Sequence, residues 1–215
     1  YHGGKLLALN EGGRPWQLDP GDLSTVGEFN YEGGLSRGNV FSAHGKVHTE
    51  TGDYVNFGAG ISGIKWSGPE ACLNVYKISK NGQLIMKKAV PLEAFPFCHD
   101  FALTENHAIF FLGSIVFKNM LKVMSGWKSI SDQVTYDPNI SMKVICVKLE
   151  DLTIDKQFEL DHGAIVHFGN AFEESGKIII DAMYQNNFAA NETLVDVFNP
   201  ETRFGGGTYK RYTLP

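Results

Sequence analysis

Apolar and polar positions follow one another in short runs broken by turn residues, and the period of most runs is two. KLLALNE, the Gly12-Gly13-Arg14 turn and PWQLD make the first predicted hairpin. GNVFSAHGKVH, a Glu50-Thr51-Gly52 turn and DYVNFG make the second. CLNVYKI and QLIMKKAV flank Ser79-Lys80-Asn81-Gly82, and Asn-Gly is the strongest short hairpin signal. HDFALT and HAIFFL flank Glu105-Asn106; MKVICVKL and TIDKQFEL flank Glu150-Asp151. IVHFGNAFEE and KIIIDAMY flank Ser175-Gly176, and TLVDVFN turns at Pro200-Glu201 toward GGTYKRYTLP. Strands recurring every 8 to 15 residues, with almost no helical period between them, predict an all-β sandwich, barrel or propeller. One segment breaks the pattern. VFKNMLKVMSGWKS, residues 116–129, sets Phe117, Leu121, Met124 and Trp127 at mixed spacing and reads as a short helix or an apolar loop.

Composition narrows the classes without changing the picture. The 215 residues suffice for one sizeable domain or part of a larger one. The 24 glycines and 15 phenylalanines suit strands joined by tight turns. A net charge of −5 with no basic stripe argues against nucleic acid as a partner. Cys72, Cys98 and Cys146 are odd in number and widely spaced, which argues against a thiolate zinc site or a disulfide framework and predicts a reducing, cytoplasmic setting. No apolar run is long enough to span a bilayer. The chain opens on Tyr1 and closes on Leu214-Pro215 within a strand-like stretch, which reads as a fragment.

The candidate chemistry lies in the histidines. His44, His99 and His167 each fall in the first strand of a predicted pair, ahead of its turn, separated by 55 and 68 residues. Those gaps are near one propeller blade or slightly more, since blades run about 40–50 residues. Equivalent positions on successive blades point at one axis, so residues remote in sequence converge there. Three convergent imidazoles suit a divalent transition metal; three packing histidines are the alternative. His2, His48, His107 and His162 fall in or beside turns or at the terminus and are expected at the surface.

Four stretches in order resemble the carotenoid cleavage oxygenase family, which includes apocarotenoid and lignostilbene dioxygenases and the retinal pigment epithelium isomerase. LLALNEGGRPWQLDPGDLSTVGEF is similar to its strand, acid, glycine turn and proline-containing strand. FSAHGKVHTETGD resembles its first ligand motif, FCHDFALTENHAIFF its second, and VHFGNAFEE its third. The resemblance implies a seven-bladed β-propeller, with residues 1–215 an incomplete central portion of a single catalytic domain whose N- and C-terminal blades lie outside it. It implies an Fe(II) ion held by His44, His99 and His167, with a fourth histidine expected C-terminal to this chain. It sets Glu11 in the outer shell, orienting His99 through a hydrogen bond. Asp100 is expected to orient backbone, and Asn170, Glu173 and Glu174 to make structural hydrogen bonds.

The activity so implied is scission of a conjugated C=C bond of a carotenoid or apocarotenoid by O2 into two carbonyl products. Stilbene cleavage is the alternative within enzymes, and a propeller that carries a carotenoid or retinoid without cleaving it is the alternative outside them. Asn10 stands where stilbene-cleaving members resemble one another in having lysine, which favours the polyene. Phe41, Phe57, Trp66, Phe97, Phe101 and Phe168 are candidates for an apolar tunnel, each equally a core residue. Residues 115–127 fall where the family resemblance implies an apolar surface, and Lys118, Lys122 and Lys128 would suit a headgroup interface as a peripheral membrane contact.

Overall fold

The computed structural model describes residues 1–66, 68–119, 122–123, 125–188, 198–199, 201 and 206–215. Four antiparallel sheets follow one another along the chain. The first holds β1 (Leu6–Ala8), β2 (Trp16–Leu18) and β3 (Thr25–Glu28). The second holds β4 (Lys46–Val47), β5 (Tyr54–Lys65), β6 (Gly68–Ile78) and β7 (Leu84–Pro91). The third holds β8 (Ala102–Leu103), β9 (His107–Leu112), β12 (Met142–Lys148) and β13 (Ile154–Leu160), and the fourth β14 (Ala164–Glu174), β15 (Lys177–Gln185) and β16 (Thr208–Leu214). Between β9 and β12 runs an insertion with a two-stranded sheet, β10 (Ile115–Phe117) and β11 (Val134–Tyr136), and a single-turn helix, α1 (Ile130–Gln133). Successive up-and-down sheets stacked face to face form an arc of a β-propeller.

Strand alternation explains how the sheets stack. In the third sheet Ala108, Phe110, Ile145 and Val147 face the second sheet and bury Val55, Phe57, Leu73 and Val75. The intervening Ile109, Phe111, Val144 and Cys146 face the fourth and bury Ile165, Ile178, Ile180 and Ala182. Both faces are covered, so HAIFFL and MKVICVK are apolar runs rather than alternating ones. Phe41, Tyr76 and Ile78 join the first two sheets with Tyr31 and Leu35. Among the proposed tunnel residues, Phe41, Phe57 and Phe101 are therefore core, at most 1% exposed. Trp66, 106% exposed, stands at the tip of the β5–β6 hairpin.

Two further expectations change. The β5 strand runs unbroken from Tyr54 to Lys65 and pairs along its length with β6, where the sequence divides it after Gly58. Glycines 58, 60 and 63 obscure its alternation. In the irregular segment, Ile115–Phe117 is a strand paired with Val134–Tyr136. Met120, Leu121 and Met124 lie outside the described residues, as does most of the TLVDVFN strand.

The strands β4, β8 and β14 run in the same sense, so the turns that follow them share one face. Histidines tie that face together. The Nε2–H of His2 donates to the carbonyl of Gly52 (2.9 Å), and that of His48 to the carbonyl of Glu105 (2.8 Å). The next junction is Glu173, which accepts from the hydroxyl of Thr104 (2.5 Å), the backbone N–H of Asn106 (3.1 Å) and Nδ1 of His107 (3.0 Å). The expectation of surface positions fails for His48, which is 7% exposed, and for His107, whose ring lies between Glu173 and Asp155. His162 is exposed, as expected.

Burial pushes the Glu173 carboxyl up, and the hydrogen bonds from Thr104, Asn106 and His107 together pull it further down, to about 2. Its folded value lies below its unfolded one, so its contribution is complete above about pH 5 and is lost as pH falls through about 2. Glu173→Gln is expected to cost about 1–2 kcal/mol at neutral pH. It should also flatten the acid fall of Tm. A Tm–pH curve identical to wild type would contradict that contribution.

Candidate metal centre

His44 lies in the segment leading into β4, and His99 just ahead of β8, so both ligand-bearing loops precede a strand rather than lie within it. His167 lies within β14 at an irregularity: pairing with β15 skips from Ile165 to Phe168. A bulge turns a side chain out of the regular alternation, and here it turns His167 toward the other two. Gly45 permits the loop of His44 to close, because a Cβ there would collide with Oη of Tyr54. The backbone N–H of His44 donates to the Ser42 hydroxyl at 3.0 Å.

The three imidazoles meet. Ring centroids are 4.3 Å apart for His44 and His99, 5.1 Å for His44 and His167, and 4.8 Å for His99 and His167. One nitrogen from each lies within 4.8 Å of the others. It is the one histidine, cysteine and carboxylate cluster of this kind among the described residues.

Glu11 meets this cluster from the first sheet. Asn10 Oδ1 accepts from the N–H of Gly12 at 2.7 Å, forming the turn that presents Glu11. The Nδ1–H of His99 donates to Oε1 of Glu11 at 2.6 Å. That bond fixes the tautomer and leaves Nε2 to a metal. It is also the main cause that raises the His99 pKa. Burial, helped by His99, lowers that of His44, which favours the neutral form a metal needs. An all-imidazole donor set converging from three sheets fits a divalent transition metal such as iron, zinc, copper or nickel.

Asp100 does more than the sequence suggests. Its side chain is 4% exposed and accepts the N–H of Phe101 at 2.8 Å and that of Phe168 at 3.3 Å. It also pairs with Lys46 Nζ at 2.9 Å. Lys46 is the basic residue that follows Ala43-His44 in the first ligand motif, to which the sequence assigns no role.

An aromatic group lies close along the chain to His99. Phe97 packs edge-on against Phe188 at 5.2 Å, and Phe95 against Phe117 at 5.6 Å. Phe95 and Phe97 also line a cavity of about 490 Å³ with Pro91, Leu92, Ile115 and Val116.

A family model described as retinal pigment epithelial membrane protein matches residues 1–215. The apocarotenoid-15,15'-oxygenase of Synechocystis is 33% identical over 199 residues, covering 90% of this chain and 39% of that protein. The carotenoid 9,10(9',10')-cleavage dioxygenase of Crocus sativus is 34% identical over 185 residues, covering 84% and 32%. Among solved structures, cobalt-substituted Synechocystis ACO superposes with a TM-score of 0.79 at 29% identity over 99% of this chain and 44% of that one. The chain thus spans between about a third and somewhat under half of the length of these oxygenase relatives.

Proposed function

Since the chain belongs to the carotenoid cleavage oxygenase family, we propose that it forms part of a non-haem Fe(II) dioxygenase that cleaves a conjugated C=C bond of a carotenoid or apocarotenoid. Residues 1–215 are then part of one propeller catalytic domain. The single observation that carries this reading is the meeting of His44, His99 and His167 from three different sheets, with Glu11 on His99. These three residues would hold the metal. No histidine follows His167 in residues 1–215, so they do not include the fourth imidazole that the resemblance implies. When bound, Fe(II) supplies a centre at which O2 is activated toward an electron-rich double bond.

The protein's own contribution is positional. Glu11 keeps the His99 ring in one tautomer and one orientation. Neutral imidazoles add no negative charge, so the ion keeps its full attraction for ligands. Phe97, Phe117 and Phe188 offer an apolar, aromatic wall suited to holding a polyene and excluding water. No side chain at the cluster is required as a general acid or base.

We extend the proposal to a peripheral membrane contact through residues 115–127, where Trp127 is 83% exposed and Lys118 and Lys122 face solvent. One assay tests both readings. The protein is supplied with ferrous iron, O2 and, separately, a C40 carotenoid, an apocarotenal and a stilbene, each in detergent and in phosphatidylcholine vesicles. Two carbonyl products from a polyene are expected; products from the stilbene alone, or a polyene bound without turnover, would overturn the substrate assignment. Trp127→Glu is expected to slow turnover of vesicle-borne substrate and leave the detergent rate unchanged. Equal rates from vesicles would remove the membrane contact.

A further inference from the structure

We propose that Asp100 is a positioning residue that holds the three ligand-bearing segments at a fixed separation. The inference rests on the metal reading of the histidine cluster and goes beyond it. Each partner of the Asp100 carboxylate lies next to a different ligand in the chain. Lys46 is two residues after His44, Phe101 two after His99, and Phe168 one after His167. The carboxylate therefore touches the second, third and fourth sheets at once, beside the place where each delivers its imidazole.

Oδ1 takes the Phe101 N–H and the Lys46 ammonium; Oδ2 takes the Phe168 N–H and lies 3.8 Å from Nδ1 of His167. Lys46 is further confined by the ring of Phe101, with Nζ 5.5 Å from its centroid. Ser42 adds a parallel link, accepting from the N–H of His44 and donating to the carbonyl of His99 at 3.5 Å. Coordination needs ligand atoms placed to about 0.5 Å, and face-to-face packing of sheets does not by itself supply that precision. A short carboxylate with two torsions, buried and fully partnered, does.

Asp100→Asn keeps the volume and loses one acceptor and the charge. Lys46 and the Phe168 N–H then compete for what remains. In the whole protein loaded with Co(II), the variant is expected to bind cobalt about 10–100-fold more weakly, as when an outer partner of a metal ligand is removed. Its visible d–d absorption should change in intensity and position. Lys46→Met, at a more exposed side chain, should give the same change in smaller degree and guards against a misfolded Asp100 variant. The double variant should lose less than the sum of the two.

Glu173→Gln, on the opposite face, serves as the stability control. It lowers Tm and is expected to leave cobalt affinity and spectrum unchanged. Asp100→Asn with wild-type affinity and spectrum would overturn the inference and leave the metal reading intact. Wild-type protein that takes up no cobalt would overturn that reading and this inference with it.

Discussion

His99→Ala is expected to abolish metal uptake and, with it, the proposed cleavage of a polyene. His99 is the imidazole fixed by Glu11, and its centroid lies 4.3 and 4.8 Å from those of its two companions. Its removal takes one donor of the cluster and leaves the Glu11 carboxylate without its partner. The loss of affinity should exceed the ~10–100-fold that follows removal of an outer-shell partner. Glu11→Gln should fall within that range, because the ligand remains and only its orientation and basicity change. Metal content by mass spectrometry and product formation should decline in the same order, His99→Ala below Glu11→Gln below wild type. His107→Ala, which alters a histidine of the far face, should retain its metal. Wild-type iron in the His99→Ala protein would remove the ligand assignment.

Phe101→Ala is expected to be the most destabilising single truncation near the centre. Phe101 is 0% exposed. It stacks on Phe110 at 5.4 Å and meets Phe57 edge-on at 5.5 Å, across the junction of the second and third sheets. Truncation removes a ring from both contacts and leaves a cavity that the packing of the two sheets cannot readily close, at about 3–5 kcal/mol. For a chain of this size that lowers Tm by roughly 6–20 °C. The backbone N–H to Asp100 survives the substitution but the ring beside Lys46 is lost, so any change in the metal spectrum well below Tm should be no larger than that of Lys46→Met. A shift of less than about 2 °C would show that the site collapses without cost.

Much of this is legible in the sequence. Hairpins with a strong turn signal appear where expected: Ser79–Gly82 closes β6 onto β7, with the N–H of Ser79 bonded to the carbonyl of Gln83 at 2.8 Å. The histidine cluster was legible through recurrence, because a blade repeat carries equivalent positions to one axis. Glu11 entered through resemblance, since an acid between asparagine and two glycines otherwise reads as a solvated turn. What stayed hidden depends on contacts between sheets. Asp100 looks like any acid before a strand; its meaning comes from Lys46 and Phe168, 54 residues before and 68 after. His48 and His107 look exposed because they flank turns, yet Glu105 in the next sheet's turn closes over the first, and Glu173 of β14 with Asp155 of β13 encloses the second. The β10–β11 pair was invisible because its two strands are three residues long and lie far apart in sequence.

The insertion between β9 and β12 has a consequence for how such a protein can be altered. Leu112 pairs directly with Lys143, so the two ends of residues 113–141 emerge side by side from an uninterrupted ladder. The segment is therefore a cassette plugged into a finished sheet. Changes within it spare the sheets only where they keep Ser114, whose N–H donates to the carbonyl of Gly163 and whose hydroxyl accepts the Gly163 N–H, just ahead of β14. Because the segment supplies Ile115, Val116 and Ile140 to the wall of the apolar cavity, altering it reshapes that cavity before it reaches any ladder.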